Sequence, residues 1–251
     1  MAWVLDLDGV VWLGSDPISG ASEAIARLRT AGEEVFFVTN ASFRPVGEVE
    51  AQLADAGIDG RGRVLTSAVM AVDLVEPGET VLVAAGPGVT EALEQRGVEV
   101  VTDGDADAVM VGFHLDFTYD RMRAASLAVR NGARLIATND DATYPTTEGL
   151  WPGGGAILAS IERATGTDAL VAGKPYPPAV AHVHRLAGTD GTMVGDRPDT
   201  DGRFARALGY RWGLVLSGVT DPSDLPIEPR PDAVADDLAA LVDEALGARP
   251  A

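Results

Sequence analysis

Cysteine is absent from the 251 residues of this chain, and lysine occurs once, at Lys174. The lack of cysteine excludes disulfides, thiolate metal sites and cysteine nucleophiles. No segment approaches the roughly 20 consecutive apolar residues that span a bilayer. The N-terminus also lacks the basic and apolar regions of a secretion signal. We therefore expect a cytoplasmic protein without a membrane partner.

Negative charge dominates the chain. The formal net charge is −19, and the basic residues form no run along the sequence. A protein of this charge is repelled by the phosphate backbone of a nucleic acid, so we predict no nucleic-acid partner. The hydrophobic fraction of 46% is typical of a globular protein that buries a core of its own.

Short apolar runs alternate with amphipathic segments along the whole chain. Residues 3–7 and 34–38 are predicted to be buried strands, and residues 21–31 a helix between them. This alternation predicts an α/β fold with parallel sheets, in which ligands bind beyond the carboxyl ends of the strands. Other segments are predicted to be a helix at 67–75, a Gly/Pro-rich connection at 149–155 and a loop at 217–232.

The first predicted strand ends in two carboxylates, Asp6 and Asp8, followed by Gly9. Residues two apart on a strand point to the same side, so both carboxylates can face one pocket. Their mutual repulsion is relieved by a hard cation such as Mg²⁺. The pattern lacks the further acidic positions of an EF-hand calcium loop, which excludes that alternative.

Three further strand ends carry residues suited to phosphate chemistry. Thr39 and Asn40 follow the second strand, where a hydroxyl and free N–H groups suit a phosphate oxygen. Lys174 is the one lysine in a chain whose other cations are arginine, and a compact ammonium is a common phosphate ligand. Asp196 and Asp201 follow a later strand, although a helix N-terminus also favours aspartate.

In their order, these motifs resemble those of the haloacid dehalogenase (HAD) superfamily of phosphatases. They also look like those of the branch that contains NagD-type, 4-nitrophenylphosphate and phosphoglycolate phosphatases. The residues that carry it are Leu5-Asp6-Leu7-Asp8-Gly9-Val10-Val11-Trp12, Val38-Thr39-Asn40, Ala137-Thr138-Asn139-Asp140, Gly173-Lys174-Pro175 and Gly195-Asp196-Arg197-Pro198-Asp199-Thr200-Asp201.

This resemblance implies a Rossmann-like parallel-sheet core with an inserted α/β cap domain. The core would comprise residues 1–77 and 173–251, and the cap residues 78–172. The resemblance also implies an Mg²⁺-dependent phosphomonoester hydrolase that forms an aspartyl-phosphate. Relatives often pair through the cap, so a homodimer is expected.

The resemblance assigns a role to each motif. Asp6 would be the nucleophile and Asp8 the general acid and base, with Mg²⁺ held by Asp6, the Asp8 carbonyl and Asp196. The phosphate would be bound by Thr39, by the Asn40 backbone and by Lys174. Asp201 would orient Lys174 or a metal-bound water, and Asn139 and Asp140 would contact substrate or the core domain.

Two alternatives remain open at this point. A phosphomutase of the same superfamily also carries the first motif, but its cap usually follows that motif directly, and here only about 30 residues separate the first two motifs. A non-catalytic sensor of a phosphate ligand would keep the pocket. The candidate substrates are phosphoglycolate, sugar phosphates, nucleoside monophosphates and pyridoxal phosphate. The histidines have no acid or serine at a spacing that predicts catalysis.

Overall fold

The computed structural model describes residues 1–146 and 148–247. The strands are β1 (Ala2–Asp6), β2 (Trp12–Leu13), β3 (Asp16–Pro17), β4 (Glu34–Thr39), β5 (Val64–Thr66), β6 (Thr80–Ala84), β7 (Glu99–Val101), β8 (Ala108–Val111), β9 (Arg134–Ala137), β10 (Thr143–Thr146), β11 (Gly149–Pro152), β12 (Leu170–Val171), β13 (Gly191–Gly195), β14 (Arg211–Val215) and β15 (Ala233–Ala235).

Helices alternate with these strands. They are α1 (Ala21–Thr30), α2 (Val46–Asp55), α3 (Ser67–Ala71), α4 (Pro87–Arg96), α5 (Tyr119–Arg130), α6 (Gly154–Thr165), α7 (Pro177–Ala187), α8 (Arg203–Leu208) and α9 (Leu238–Gly247). None of the helices in the described part of the chain has the length and hydropathy of a transmembrane segment.

The chain divides into two compact units. The first comprises residues 1–39, residues 49–65 and the chain from Val180 onward; the second comprises residues 40–48 and 66–179. The first unit therefore draws on segments that lie on both sides of the second in the sequence. The predicted domain boundaries at 78 and 172 stay a prediction.

The first unit is built on a six-stranded sheet in the order β15-β14-β13-β1-β4-β5. Strand β1 runs parallel to both of its neighbours, with Leu5 opposite Phe37 of β4 and Val194 of β13. All five residues of β1 are buried, as expected for a parallel strand that is covered on both faces. The chain leaves β1 toward β4 on one side and returns as β13 on the other, so the strand order reverses at β1. Such a reversal opens a crevice at the carboxyl ends of the strands.

The second unit contains a parallel five-stranded sheet in the order β12-β9-β8-β6-β7. Alternate residues of β6 enter two different clusters of buried side chains. Val81 and Val83 pack in a cluster with residues of α4, whereas Leu82 packs with residues of α5 and α6. Helices therefore cover both faces of this sheet, in a three-layer α/β/α arrangement. The predicted fold class, α/β with a Rossmann-like parallel-sheet core, is confirmed.

The structure corrects three segment predictions. The helix predicted at 67–75 ends as α3 at Ala71 and continues as a 3₁₀ turn to Leu74. The connection predicted at 149–155 contains β11, which pairs antiparallel with β10, and the loop predicted at 217–232 contains a 3₁₀ turn at Pro222–Asp224. Strands β2, β3, β10, β12 and β15 were not predicted. These strands are two to four residues long and are too short to show a period, and β3 and β10 also contain proline.

We expect Leu5→Ala to lower the free energy of unfolding by about 2–5 kcal/mol, because it leaves a cavity in the centre of the first sheet. Leu5 is 0% exposed, whereas Leu13 is 55% exposed. The control Leu13→Ala should therefore change that free energy by no more than about 0.5 kcal/mol. Guanidinium unfolding curves measure both variants, and equal losses would contradict the assignment of β1 to the core.

Candidate active site

The turn after β1 holds the first motif in a fixed conformation. The Leu7 carbonyl accepts hydrogen bonds from the backbone N–H groups of Val10, Val11 and Trp12, at 3.3, 2.8 and 3.2 Å. Gly9 donates to the Trp12 carbonyl at 2.8 Å and has a φ of +80°, a conformation that favours glycine. The chain therefore reverses within a few residues of Asp6.

Asp8 has its carboxylate oriented by an aromatic side chain of the same turn. The indole Nε1–H of Trp12 donates to Asp8 Oδ1 at 3.2 Å, and Trp12 itself is 4% exposed. A buried, rigid ring restricts the rotamers that the carboxylate can adopt. The predicted acid/base residue is thus held by a partner that lies four positions along the chain.

Three carboxylates of the first unit lie together. One oxygen each of Asp6, Asp196 and Asp201 lie within 4.8 Å of one another, and the three residues are 7%, 2% and 0% exposed. Asp6 ends β1, and Asp196 follows β13, the strand beside it. The cluster is therefore placed at the carboxyl end of the strand where the sheet order reverses.

Backbone groups orient two members of this cluster. The backbone N–H of Val219 donates to Asp196 Oδ2 at 2.6 Å, and the Thr220 hydroxyl donates to the backbone carbonyl of Asp196 at 2.5 Å. The backbone N–H of Arg197 donates to Asp201 Oδ2 at 3.1 Å, across a π-helical turn at Pro198–Gly202. Two separate loops thus hold the carboxylates at fixed positions.

Two glycines leave the space that the Asp196 carboxylate occupies. A Cβ atom built on Gly9 or on Gly218 would overlap Asp196 Oδ2. The two glycines also approach each other, since that Gly9 Cβ would lie 3.0 Å from the Gly218 Cα. The Ser217 hydroxyl joins the same two loops by donating to the Gly9 carbonyl at 2.7 Å. Any larger residue at either glycine would displace the carboxylate.

The cluster has the donor set of a site for a hard divalent cation. Oxygen ligands supplied by carboxylates are those that Mg²⁺ binds in proteins. Two ionised carboxylates within 4.8 Å repel each other by about 3–4 kcal/mol at an effective dielectric constant of ~20. A bound cation removes this repulsion, so these residues fit the predicted metal.

A second cluster of predicted site residues lies in the second unit. Lys174 follows β12 and is 2% exposed. The side-chain amide of Asn40 is hydrogen-bonded to the backbone of Lys174, and Nδ2 also donates to Asp141 Oδ2 at 3.1 Å. The backbone carbonyl of Asn40 accepts hydrogen bonds from the Ser67 hydroxyl at 2.7 Å and from Asn139 Nδ2 at 2.8 Å. The side chain of Asn40 thus binds the Lys174 backbone, whereas the sequence predicts a role only for the Asn40 backbone.

Asn139 and Asp140, predicted to contact substrate or the core domain, have different surroundings. Asn139 is 4% exposed, and its Oδ1 accepts from the backbone N–H of Asp141 at 3.2 Å. Its side chain therefore braces the turn after β9. Asp140 is exposed and accepts a hydrogen bond from the Tyr176 hydroxyl. The role predicted for these two residues stays a prediction.

The predicted residues therefore fall into two groups. Asp6, Asp196 and Asp201 lie together in the first unit, and the carboxylate of Asp8 accepts a hydrogen bond from Trp12. The predicted metal ligands, Asp6, the Asp8 carbonyl and Asp196, stay a prediction. Thr39 is 3% exposed and ends β4, directly beside β1 in the sheet. Asn40, Lys174 and Asn139 share the hydrogen-bond network of the second unit.

Sequence reasoning missed the loop after β14. Ser217, Gly218, Val219 and Thr220 provide the contacts that hold Asp196 and the Gly9 turn, yet this stretch was predicted to be an ordinary loop. A signal was present, because a Ser-Gly-Val-Thr sequence follows a buried strand of the same parallel sheet. The rule that found the other motifs, polar residues at strand carboxyl ends, applies to it equally.

His114 has an acidic partner that its spacing did not predict. Its Nδ1 is hydrogen-bonded to Asp116 Oδ1 at 2.9 Å, and its ring packs edge-to-face on Phe117 with centroids 5.4 Å apart. Burial lowers the pKa of His114, and the hydrogen bond to Asp116 opposes this shift without cancelling it. This histidine is therefore a buried residue that packs in the second unit.

The sequence of this chain is similar to known proteins over segments that contain residues of both clusters. Residues 3–99 match a family model described as haloacid dehalogenase-like hydrolase, and residues 171–241 match a second, described as HAD-hydrolase-like. An acid sugar phosphatase of Staphylococcus aureus is 36% identical over 231 residues, which are 89% of each chain. The chain belongs to the haloacid dehalogenase-like hydrolase family. The predicted relationship to NagD-like phosphatases of this family, and with it the predicted enzyme class, is confirmed.

Solved structures that are 30–35% identical to this chain share its fold over 96% of its residues. A glycerol phosphate phosphatase of Mycobacterium tuberculosis, solved with calcium, superposes with a TM-score of 0.88 at 35% identity and covers 96% of this chain and 74% of its own. A structure of the same phosphatase with magnesium has the same TM-score. A 4-nitrophenylphosphatase of Thermotoga maritima gives a TM-score of 0.90 at 30% identity, with 96% of each chain covered.

We expect Gly218→Ala to weaken Mg²⁺ binding by this hydrolase about 10- to 100-fold, because the added methyl group displaces Asp196. Isothermal titration calorimetry with MgCl₂ measures the change. The matched control is Gly47→Ala, where a Cβ would meet nothing within 4 Å in the first turn of α2. Equal affinity in the Gly218 variant and the control would show that the Asp196 position is unimportant for the metal.

Proposed function

We propose that this hydrolase is an Mg²⁺-dependent phosphatase that cleaves a small phosphomonoester through an aspartyl-phosphate on Asp6. The observation that carries the proposal is the group of three buried carboxylates at the strand-order reversal, Asp6, Asp196 and Asp201. The calcium and magnesium complexes of the glycerol phosphate phosphatase support a divalent cation in such a site. The names of the relatives favour a sugar phosphate or glycerol phosphate as substrate.

The first step assigned to the chain is nucleophilic attack. A carboxylate oxygen of Asp6 forms a bond to phosphorus while the bond from phosphorus to the ester oxygen breaks. Asp8 gives a proton to that departing oxygen, so the leaving group departs as an alcohol. The indole of Trp12 holds the Asp8 carboxylate during this transfer.

In the second step, the Asp8 carboxylate takes a proton from water as the water oxygen attacks phosphorus. The bond between phosphorus and Asp6 breaks, which releases inorganic phosphate, regenerates the Asp6 carboxylate and leaves Asp8 protonated for the next cycle. Thr39, the Asn40 backbone and Lys174 are proposed to bind the phosphoryl oxygens, where charge accumulates in the transition state. When bound to Asp6, the Asp8 carbonyl and Asp196, Mg²⁺ supplies charge neutralisation between the carboxylates and the phosphate.

Asp201 remains a supporting residue in this proposal. Its carboxylate is held by the Arg197 backbone at 3.1 Å and lies in the cluster with Asp6 and Asp196. The homodimer through a cap at residues 78–172, and a cytoplasmic location, also stay predictions. A phosphate sensor has no need of an acid/base residue, so the oriented Asp8 favours the enzyme over that alternative.

We expect Asp6→Asn to lower the release of 4-nitrophenol from 4-nitrophenyl phosphate by at least about 10⁴-fold, since an amide is a poor nucleophile. The control Asp55→Asn removes an exposed carboxylate at the end of α2 and should keep full activity. Circular dichroism confirms that both variants are folded. Substantial turnover by folded Asp6→Asn would remove Asp6 from the role of nucleophile.

Removal of divalent cations is expected to abolish turnover, because the ionised carboxylates then repel the phosphate dianion. Activity is measured in excess EDTA and again after MgCl₂ is added beyond the chelator. We expect recovery on addition, and the same assay with a panel of sugar phosphates and glycerol phosphate ranks the substrates. A full rate in excess chelator would exclude the proposed dependence on Mg²⁺.

A further inference from the structure

The side chain of Asn40 is hydrogen-bonded to both the N–H group and the carbonyl of the Lys174 backbone. Oδ1 of Asn40 accepts a hydrogen bond from the backbone N–H of Lys174 at 2.9 Å, and Nδ2 of Asn40 donates to the Lys174 carbonyl at 3.1 Å. Asn40 is 9% exposed and Lys174 is 2% exposed. A carboxamide both donates and accepts, so Asn40 clamps two backbone groups that face it from the same residue.

Asn40 is itself held in place by its neighbours. Its backbone carbonyl accepts hydrogen bonds from the Ser67 hydroxyl at 2.7 Å and from Asn139 Nδ2 at 2.8 Å. Nδ2 of Asn40 also donates to Asp141 Oδ2 at 3.1 Å. A Cβ built on Gly173 would lie 2.6 Å from Asn40 Oδ1, so the residue before the lysine has to be small for the clamp to close.

We propose that the Asn40 side chain is a positioning residue that fixes the ammonium group of Lys174 for phosphate binding. The proposal rests on the proposed function, in which Lys174 binds the phosphoryl group. A lysine reaches its ligand through a flexible four-carbon stem, so its ammonium is placed only as well as its backbone is held. The role differs from the earlier prediction for Asn40, which concerned its backbone alone.

The variant Asn40→Asp tests the clamp with a minimal change of shape. Aspartate keeps an acceptor for the Lys174 N–H, but it places an oxygen against both the Lys174 carbonyl and the Asp141 carboxylate. The matched control is Asn131→Asp, because Asn131 Nδ2 also donates to a carboxylate, Asp105 Oδ1, at 3.3 Å in an exposed position. In both variants a negatively charged oxygen replaces a side-chain NH₂ group that donates to a carboxylate.

The kinetic readout is kcat/KM for 4-nitrophenyl phosphate in the presence of Mg²⁺, together with competitive inhibition by inorganic phosphate. We expect Asn40→Asp to lower kcat/KM about 100-fold, the effect of a displacement of about 1 Å, and to weaken phosphate inhibition at least tenfold. Asn131→Asp should stay within twofold of the unmodified enzyme in both measurements. A clamp that only stabilises the fold would lower the melting temperature and leave phosphate inhibition unchanged, which would overturn the proposal.

A spectroscopic readout is independent of turnover. Because Lys174 is the only lysine of the chain, protein labelled with [ε-¹³C]lysine gives a single ε-carbon NMR signal. We expect this signal to shift on addition of inorganic phosphate with Mg²⁺ in the unmodified protein and in Asn131→Asp. In Asn40→Asp the shift should be smaller and should saturate at a concentration at least tenfold higher.

The outcomes distinguish the proposed role of Lys174 from the proposed role of Asn40. If phosphate leaves the lysine signal of the unmodified protein unchanged, the proposed role of Lys174 fails. If that signal responds equally in Asn40→Asp and in the unmodified protein, Lys174 keeps its role and the positioning proposal fails. If Asn40→Asp does not fold, Ser67→Ala decides, because it removes one anchor of the clamp. An unchanged response to phosphate in that variant would overturn the positioning proposal.

Discussion

The repulsion between buried carboxylates is the constraint on which the rest of this structure depends. Asp6, Asp196 and Asp201 offer oxygens within 4.8 Å of one another in a region that is almost closed to solvent. Such an arrangement costs several kcal/mol unless positive charge is supplied. The loops around it hold the carboxylates in place with backbone N–H groups and leave room for them with glycines. Carboxylates that are held close together despite their mutual repulsion are suited to bind a cation, and a bound cation can in turn attract an anion.

The fold explains why the carboxylates meet. Strand β1 is the point where the order of the first sheet reverses, and its two neighbours are β4 and β13. Residues that follow these three strands must therefore meet at one edge of the sheet, although they are separated by up to about 190 positions in the chain. The loop after β14, the next strand along, adds the contacts to Asp196. The proposed nucleophile, the proposed metal ligands and the residues that support them thus come from adjacent strand ends of one parallel sheet.

Much of this arrangement could be predicted from the sequence. The strands around Leu5, Phe37 and Val194 are nearly continuous apolar runs followed by polar residues, and this pattern is local. The supporting contacts could not be predicted, since they depend on which backbone groups the fold brings near a side chain. Val219 is hydrogen-bonded to Asp196 through its backbone N–H group, and Asn40 is hydrogen-bonded to Lys174 through its side-chain amide. Neither contact can be recognised from the residues that surround Val219 or Asn40 in the sequence. Short strands with proline or glycine were missed for a related reason, because pairing rather than propensity creates them.

The most direct measurement of the central claim is the position of a divalent cation in crystals of the protein. Mn²⁺ accepts the same oxygen ligands as Mg²⁺ and gives an anomalous signal that locates it without ambiguity. We predict an anomalous peak that is coordinated by the carboxylates of Asp6 and Asp196, with Asp201 beside it. A map without a peak there at millimolar Mn²⁺, with the carboxylates satisfied by protein hydrogen bonds alone, would contradict the account.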